Sequence, residues 1–222
     1  MRSPYSIIIP IHNEINVIND LLNGLIPYST SGHEVIIVDD GSSDGSEVVL
    51  AKNNFVKSII LKKNQGKGEA IKKGLLQAFN DKIIIFDGDL ELDPKNINRL
   101  MILNRNENTY CVFGTRFKLI SPFKSKWDLG NYIFTWLFNF IHKTDLQDAL
   151  CCAKAFYKKD INPLSLVSSK FDIDIELASL LVKKVKNITS IKIDYNRRTK
   201  NEGKKLQVFD SFSIFKRMIK FF

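Results

Sequence analysis

Cysteine is scarce in this chain of 222 residues: there are three, with Cys151 and Cys152 adjacent and Cys111 distant. An odd count without recurring spacing argues against a disulfide framework and against a zinc site, and fits a reducing compartment. Long hydrophobic runs are missing. The longest, residues 132–141, is broken by Thr135 and Asn139, and falls well short of the roughly 20 apolar residues that span a bilayer. Met1-Arg2-Ser3-Pro4 lacks the layout of a signal peptide and runs straight into an apolar strand pattern. Internal repeats, low-complexity tracts and Gly/Ser-rich linkers are also missing, so one domain over 1–222 is expected. Three familiar ligand motifs fail. Gly66-Lys67-Gly68 lacks the gap and the following hydroxyl of a P-loop, and no G-x-G-x-x-G follows the first strand pattern. Ala51 stands where an EF-hand starting at Asp40 needs Glu.

What is present points to a globular fold with an anionic partner. Hydrophobic residues make up 44% and charged residues 26%, enough to build a core without staples. Thirty-three Lys and Arg against 24 Asp and Glu leave a net charge of +9. That excess suits a phosphorylated substrate, an anionic membrane surface or nucleic acid, and equally an ordinary solvated basic surface.

The first half alternates between two periods. Strand patterns over 5–10, 34–39, 56–62, 82–87 and 110–114 are separated by helical patterns over 14–24, 45–53, 67–80 and 94–106. Continuous apolar strands alternating with helices predict an α/β fold, with a mostly parallel sheet covered on both faces. The second half predicts a helix over 126–142, a strand over 151–157, a helix over 172–186, a strand over 188–195, a basic loop over 196–205 and an amphipathic segment over 209–222. The last places Ile214, Phe215, Met218, Ile219 and Phe222 on one helical face. It suits either docking on the core or an anionic membrane surface.

In parallel sheets, ligands bind beyond the carboxyl ends of the strands. Three such ends carry polar clusters: Pro10-Ile11-His12-Asn13-Glu14, Asp39-Asp40-Gly41-Ser42-Ser43-Asp44-Gly45 and Asp87-Gly88-Asp89-Leu90-Glu91. Ser43 and Asp44 read as turn and cap. No turn requires both Asp87 and Asp89. Clustered carboxylates repel one another unless a cation intervenes, and a divalent ion with oxygen ligands, Mg²⁺ or Mn²⁺, is the simplest one.

In order along the chain, 6–14, 38–45, Asn64-Gln65-Gly66-Lys67-Gly68 with Ala70 and Gly74, 87–94, Gly114-Thr115-Arg116-Phe117, 148–156 and 198–205 resemble the motifs of inverting family 2 glycosyltransferases. The branch most similar is that of dolichol-phosphate mannose synthase and the polyprenyl-phosphate glycosyltransferases. The resemblance implies the GT-A fold, a Rossmann-like sheet flanked by helices. It implies a nucleotide-sugar-binding half over about 1–117, an acceptor-side half over about 118–205 and a terminal helix over 206–222. A nucleoside diphosphate-sugar, UDP- or GDP-linked, would be the donor; a polyprenyl phosphate or a glycan hydroxyl would be the acceptor.

The resemblance also assigns roles. Pro10, Asn13 and Glu14 would border the base and ribose. Asp39 or Asp40, preferably Asp40, would bond the base. Gly66 and Lys67 would lie near the nucleotide, with Gly68 admitting close backbone approach. Asp87, beside Gly88, would face ribose and metal. Asp89 would be the principal metal ligand, and Glu91, where relatives usually have Gln, a further one. Arg116, Arg198, Lys204 and Lys205 would neutralise phosphate charge. Asp148 would serve a hydroxyl acceptor as base, or organise the acceptor loop for a phosphate. Glu176 would lie near the acceptor or be a solvated helix acid. Gln147, Cys151 and Cys152 depart from the family's pattern on the acceptor side. The expected setting is cytoplasmic and peripheral to the inner membrane face. Two other readings are a nucleotidyltransferase of similar fold and a basic nucleic-acid-binding module.

Overall fold

The computed structural model describes residues 3–116, 126–185, 187–198 and 210–220, the backbone alone at 126–128 and 210–212. Seven strands form one sheet: β1 (Tyr5–Ile11), β2 (Glu34–Asp39), β3 (Lys57–Ile60), β4 (Lys82–Ile85), β5 (Cys111–Thr115), β6 (Lys154–Tyr157) and β7 (Ile188–Lys192), in the spatial order β3-β2-β1-β4-β6-β5-β7. β1 pairs parallel with β2 and β4, β2 with β3, and β5 with β7; β6 runs antiparallel between β4 and β5. The expected mostly parallel α/β sheet is therefore present, with one reversed strand. Reversal has a positional consequence. The residues that precede β6, Asp148 to Ala153, reach the same sheet edge as the residues that follow β1, β2, β4 and β5.

Strand side chains alternate between the two faces. Ile7, Ile9, Ile11, Ile37 and Ile84 enter one core cluster; Ile8, Ile36, Val38, Ile83 and Ile85 enter the other. All seven residues of β1 are buried, which is the burial expected of a strand covered on both sides. Helices α1 (Ile18–Thr30), α2 (Ser46–Ala51) and α4 (Ile97–Leu100) line the first cluster. The second is covered by α3 (Lys67–Gln77), α5 (Lys126–His142), α6 (Ile173–Lys184) and α7 (Asp210–Lys220).

Two boundaries differ from expectation, each for a local reason. Gly24 does not end α1, because the helix crosses so close to the next layer that a Cβ there would lie 2.9 Å from the Pro94 ring. The helix expected over 94–106 breaks into a 3₁₀ turn, the short α4 and a second 3₁₀ turn at Arg105–Glu107. The Asn104 side chain accepts from the Asn106 backbone N–H and starts the second turn, competing with helix continuation. Of the two settings expected for the terminal segment, α7 takes the core. Ile214 and Met218 are buried in the second cluster, and Arg217 donates to Asp172 at 2.9 Å. Phe215 and Ile219 stay exposed.

Helix α3 lies against β1 and β2 with no room to spare at Gly74, where a Cβ would sit 2.4 Å from Ile8 Cγ2 and 3.4 Å from Val38. Gly130 in α5 has nothing within 4 Å of the same position. Gly74→Ala should therefore cost about 1–3 kcal/mol by overpacking. Gly130→Ala should be neutral or gain up to about 1 kcal/mol from helix propensity. Urea melts of the two variants make the comparison; equal effects would show that α3 is not held this tightly.

Candidate active site

Two loops at the carboxyl edge are zipped together before any ligand is considered. Asn13, in the left-handed region at φ 51°, donates its backbone N–H to Ser42 Oγ and accepts the Ser43 N–H on its side-chain oxygen, both at 2.8 Å. Asp44 accepts from Ile15 N and from the Ser46 backbone and hydroxyl, which ties the turn to the first loop, while Gly45 holds the N-cap position of α2. Pro10 is buried at the end of β1 beside Val38.

The two acids closing β2 divide the work differently from expectation. Asp40, the preferred base contact, has both oxygens occupied: Oδ1 accepts from Gln65 N and Oδ2 from Gly66 N, each at 2.7 Å. It holds the entry to α3. Asp39 accepts from the Ser42 N–H and hydroxyl on Oδ1, while its buried Oδ2 accepts nothing among the described residues. Burial pushes the Asp39 carboxyl above its ordinary range. An orphaned acceptor at a binding edge is the better candidate for a ligand N–H donor.

Gly66 and Gly68 bracket Lys67 under a crossing strand of chain. A Cβ on either would fall 2.2–2.3 Å from the Ser169 or Ser168 carbonyl oxygen, and Gly68 N donates to Ser169 O at 2.8 Å. That crossing segment is itself held by Glu176, which is fully buried and accepts from Val167 N and Ser168 N at 2.9 and 2.6 Å. Glu176 is thus a buried structural clamp and not a solvated helix acid.

Lys67 Nζ lies 2.8 Å from Asp87 and 2.8 Å from Asp174. Burial opposes its charge, but the two carboxylates outweigh that and hold it well above the usual lysine range. Burial likewise pushes Asp87 up, and Lys67 more than reverses this, leaving it below its ordinary value. Asp89 has no such cation. Burial, then the charges of Asp87 and Glu91, push it up to about 7. Its Oδ1 accepts from Glu91 N at 3.0 Å, and its Oδ2 accepts nothing among the described residues. Gly88 allows this spacing by packing directly on β1: a Cβ there would lie 2.5 Å from Ile11.

The three acids expected to share a metal do not form one cage. Among the described residues no group of three or more His, Cys, Asp or Glu side chains converges to hold an ion. The physical reason is prior occupation. Asp87 is taken by Lys67, and Glu91 accepts the Arg198 N–H at 2.9 Å on its Oε1. Asp89 remains, and a single carboxylate fits Mg²⁺ or Mn²⁺, which typically takes one or two carboxylates plus substrate phosphates.

Arg116 follows β5 and is clamped in a bidentate fork by Asp148, with Nε to Oδ2 at 2.8 Å and Nη2 to Oδ1 at 2.9 Å. The Asp148 side chain is fully buried, and both oxygens are committed. Arg198 reaches across the edge to Glu14 Oε2 at 2.7 Å and to the Asp89 carbonyl at 3.1 Å. Lys204 and Lys205 lie outside the described residues. Two residues escaped the sequence reading. Tyr195 stacks under the Arg116 guanidinium at 5.5 Å. Asp174 anchors Lys67. A signal for the latter was available: Asp172, Asp174 and Glu176 recur at every second position within an apolar helix start, and all three are buried.

Residues 6–162 match the family model described as Glycosyl transferase family 2. Among curated proteins, the undecaprenyl-phosphate 4-deoxy-4-formamido-L-arabinose transferase of Proteus mirabilis (strain HI4320) is 39% identical over 119 residues, covering 50% of this chain and 36% of that protein. Its namesake from Photorhabdus laumondii subsp. laumondii is 38% identical over the same length and shares. The match thus spans about a third of the length of these relatives. Glucosyl-3-phosphoglycerate synthase from Mycobacterium tuberculosis, in complex with phosphoglyceric acid, superposes with a TM-score of 0.76 over 99% of this chain and 80% of that one, at 16% identity. The same protein in complex with Mn²⁺, UDP and glucosyl-3-phosphoglycerate gives 0.74 at 15% identity. At such identities the likeness is one of fold, the expected GT-A arrangement.

The raised Asp89 carboxyl has a consequence for stability. Its folded value of about 7 exceeds the ordinary carboxylate value near 4 of the unfolded chain, so its ionisation opposes folding. The cost appears above about pH 4 and is complete above about pH 7. Asp89→Asn keeps the shape and removes the charge. In EDTA it should stabilise the protein at pH 8 by about 1–3 kcal/mol and hardly at all at pH 4.5. Denaturant melts at the two pH values test this; an equal or opposite shift would mean Asp89 is already neutralised.

Proposed function

The chain belongs to glycosyl transferase family 2, and on that premise we propose that it transfers a sugar, with inversion, from a nucleoside diphosphate-sugar to a polyprenyl phosphate. The observation that carries the reading is Asp89: a carboxylate at the sheet edge, crowded by Asp87 and Glu91, with one oxygen unengaged among the described residues. Such a group is in deficit of a cation, and a metal-bound diphosphate would supply it. Bound there, the ion would stabilise negative charge on the departing nucleoside diphosphate as a Lewis acid.

The remaining roles follow from the chain's own contacts. Asp39 Oδ2 would accept an N–H of the base, bordered by Pro10, Asn13 and the 41–43 turn. Asp87, aimed by Lys67, would face the ribose. Arg116 and Arg198 are cations fixed by acids, and fixed charges favour a transition state without reorganising. Lys204 and Lys205 would add to them from the basic loop.

A phosphate acceptor agrees with the state of Asp148 better than a hydroxyl does. With both oxygens held by Arg116, this acid is poorly placed to take a proton. A phosphate is already ionised and needs no base. Both curated relatives carry undecaprenyl-phosphate in their names. The assay is sugar transfer from UDP- and GDP-sugars to undecaprenyl phosphate in detergent, with Mn²⁺ or EDTA. Activity should require the metal, and Asp89→Ala should lower kcat about 100-fold or more. Normal turnover of Asp89→Ala in EDTA would sink the proposal.

Peripheral contact with an anionic membrane is part of the same reading. Leu129, Tyr132, Ile133, Trp136 and Phe140 are exposed on α5, with Trp136 and Phe140 stacked at 5.9 Å and exposed by 59% and 72%. Phe215 and Ile219 of α7 are also exposed, beside Lys216 and Lys220. Apolar rings with flanking cations suit the interface of an anionic leaflet. Among the described residues no helix is long and apolar enough to cross a membrane. Trp136→Ala with Phe140→Ala should reduce co-sedimentation with phosphatidylglycerol vesicles several-fold and leave UDP-sugar hydrolysis unchanged; undiminished co-sedimentation would remove α5 from the contact.

A further inference from the structure

We infer that Asp174 is a positioning residue for the donor site: it anchors the Lys67 ammonium against Asp87, so that a fixed side-chain cation neutralises Asp87 and only Asp89 is left to meet the metal-bound diphosphate. The inference rests on the glycosyl-transfer reading and adds to it a residue from the acceptor-side half of the chain.

Lys67 is immobilised from both ends. Its backbone is trapped where Gly66 N donates to Asp40 and Gly68 N donates to Ser169 O. Its ammonium lies 2.8 Å from one oxygen each of Asp87 and Asp174. The side chains of Lys67 and Asp174 are only 10% and 9% exposed. A lysine is a point charge on a flexible stem and makes a precise cation only when something holds it.

Asp174 has no other evident task. Its Oδ1 is buried and accepts no hydrogen bond among the described residues, so its polar contact is with Lys67 through Oδ2. Glu176, two residues on, differs: it uses both oxygens, on two backbone N–H groups. A half-satisfied buried carboxylate is a poor way to stabilise a helix, and an apolar side chain would usually serve better. The placement makes sense if the position of the Lys67 charge matters. Asp87 then keeps one orientation whether or not metal is bound, and the ion is directed to Asp89. The link also spans the fold, since Asp87 follows β4 while Asp174 opens α6.

The test is a double-mutant cycle on the intact protein: wild type, Lys67→Met, Asp174→Asn and the double variant. The readouts are calorimetric binding of UDP and of GDP with Mn²⁺, and ligand-free thermal melting. Each single variant should weaken nucleotide–Mn²⁺ binding about tenfold, the size of one charge-assisted contact. The double variant should bind no worse than the weaker single one, because Asp174 acts through Lys67. Wild-type affinity in Asp174→Asn, with or without a lower melting temperature, would overturn the inference and leave the glycosyl-transfer reading standing. Fully additive losses in the double variant would do the same. A wild-type protein that binds neither nucleotide removes both. Should Lys67→Met not fold, Lys67→Gln completes the cycle.

Discussion

Negative charge gathered on one edge of the sheet is the constraint around which the site is arranged. Glu14, Asp39, Asp40, Asp87, Asp89, Glu91 and Asp148 all converge there, in a chain whose overall charge is +9. Most are neutralised internally, each by a different device. Asp40 takes two backbone N–H groups. Asp87 takes Lys67, Asp148 takes Arg116 and Glu14 takes Arg198. Glu91 receives the backbone of Arg198. Two acids are left over: Asp39 keeps one oxygen without a partner, and Asp89 has like charges nearby and no cation on its carboxylate among the described residues. A site can thus be strongly acidic in composition and still present few open acceptors.

Convergence depends on strand direction. If β6 ran parallel to its neighbours, the 148–153 segment would emerge at the opposite edge, and Arg116 would lose its bidentate partner. Reversal costs little in a sheet, where antiparallel pairs are common even beside parallel ones. Here it brings an acid from the second half to a cation from the first. The register fixes the details: Lys154 of β6 stands opposite both Ile85 of β4 and Phe113 of β5, so Cys152 falls level with the start of the Asp87 loop.

The sequence was legible where structure is local. Continuous apolar runs separated by helical spacing announced the sheet and most of its strands, and the acids after β1, β2 and β4 announced the edge. What was hidden is long-range pairing. Arg198 and Glu14 are separated by 184 positions, and Lys67 and Asp174 by 107. Nothing in either neighbourhood states which cation meets which acid. Sequence alone therefore favours Asp40 over Asp39 at the base and puts Glu91 on the metal. In the structure each of these carboxylates already has protein donors, Gln65 and Gly66 on Asp40 and Arg198 on Glu91. Gly24 is a related case: it lies inside α1, and only the layer above, at Pro94, shows that it is there for close approach.

On the proposed sugar transfer, the same pairings would bear on rate as well as stability. A cation that is free to swing must be ordered as charge builds on the leaving group, and that ordering raises the barrier. Arg116 cannot swing. Its fork is filled by Asp148 and its face lies over Tyr195. The acids that hold such cations lower the net positive charge available to a phosphate, which weakens ground-state attraction. In the proposed reaction they would also keep the charge where it is required, so that the field would already be in place when the bond breaks. An edge built this way trades affinity for preorganisation, and the trade is sensible for a catalyst, because tight binding of substrate and transition state alike does not raise turnover.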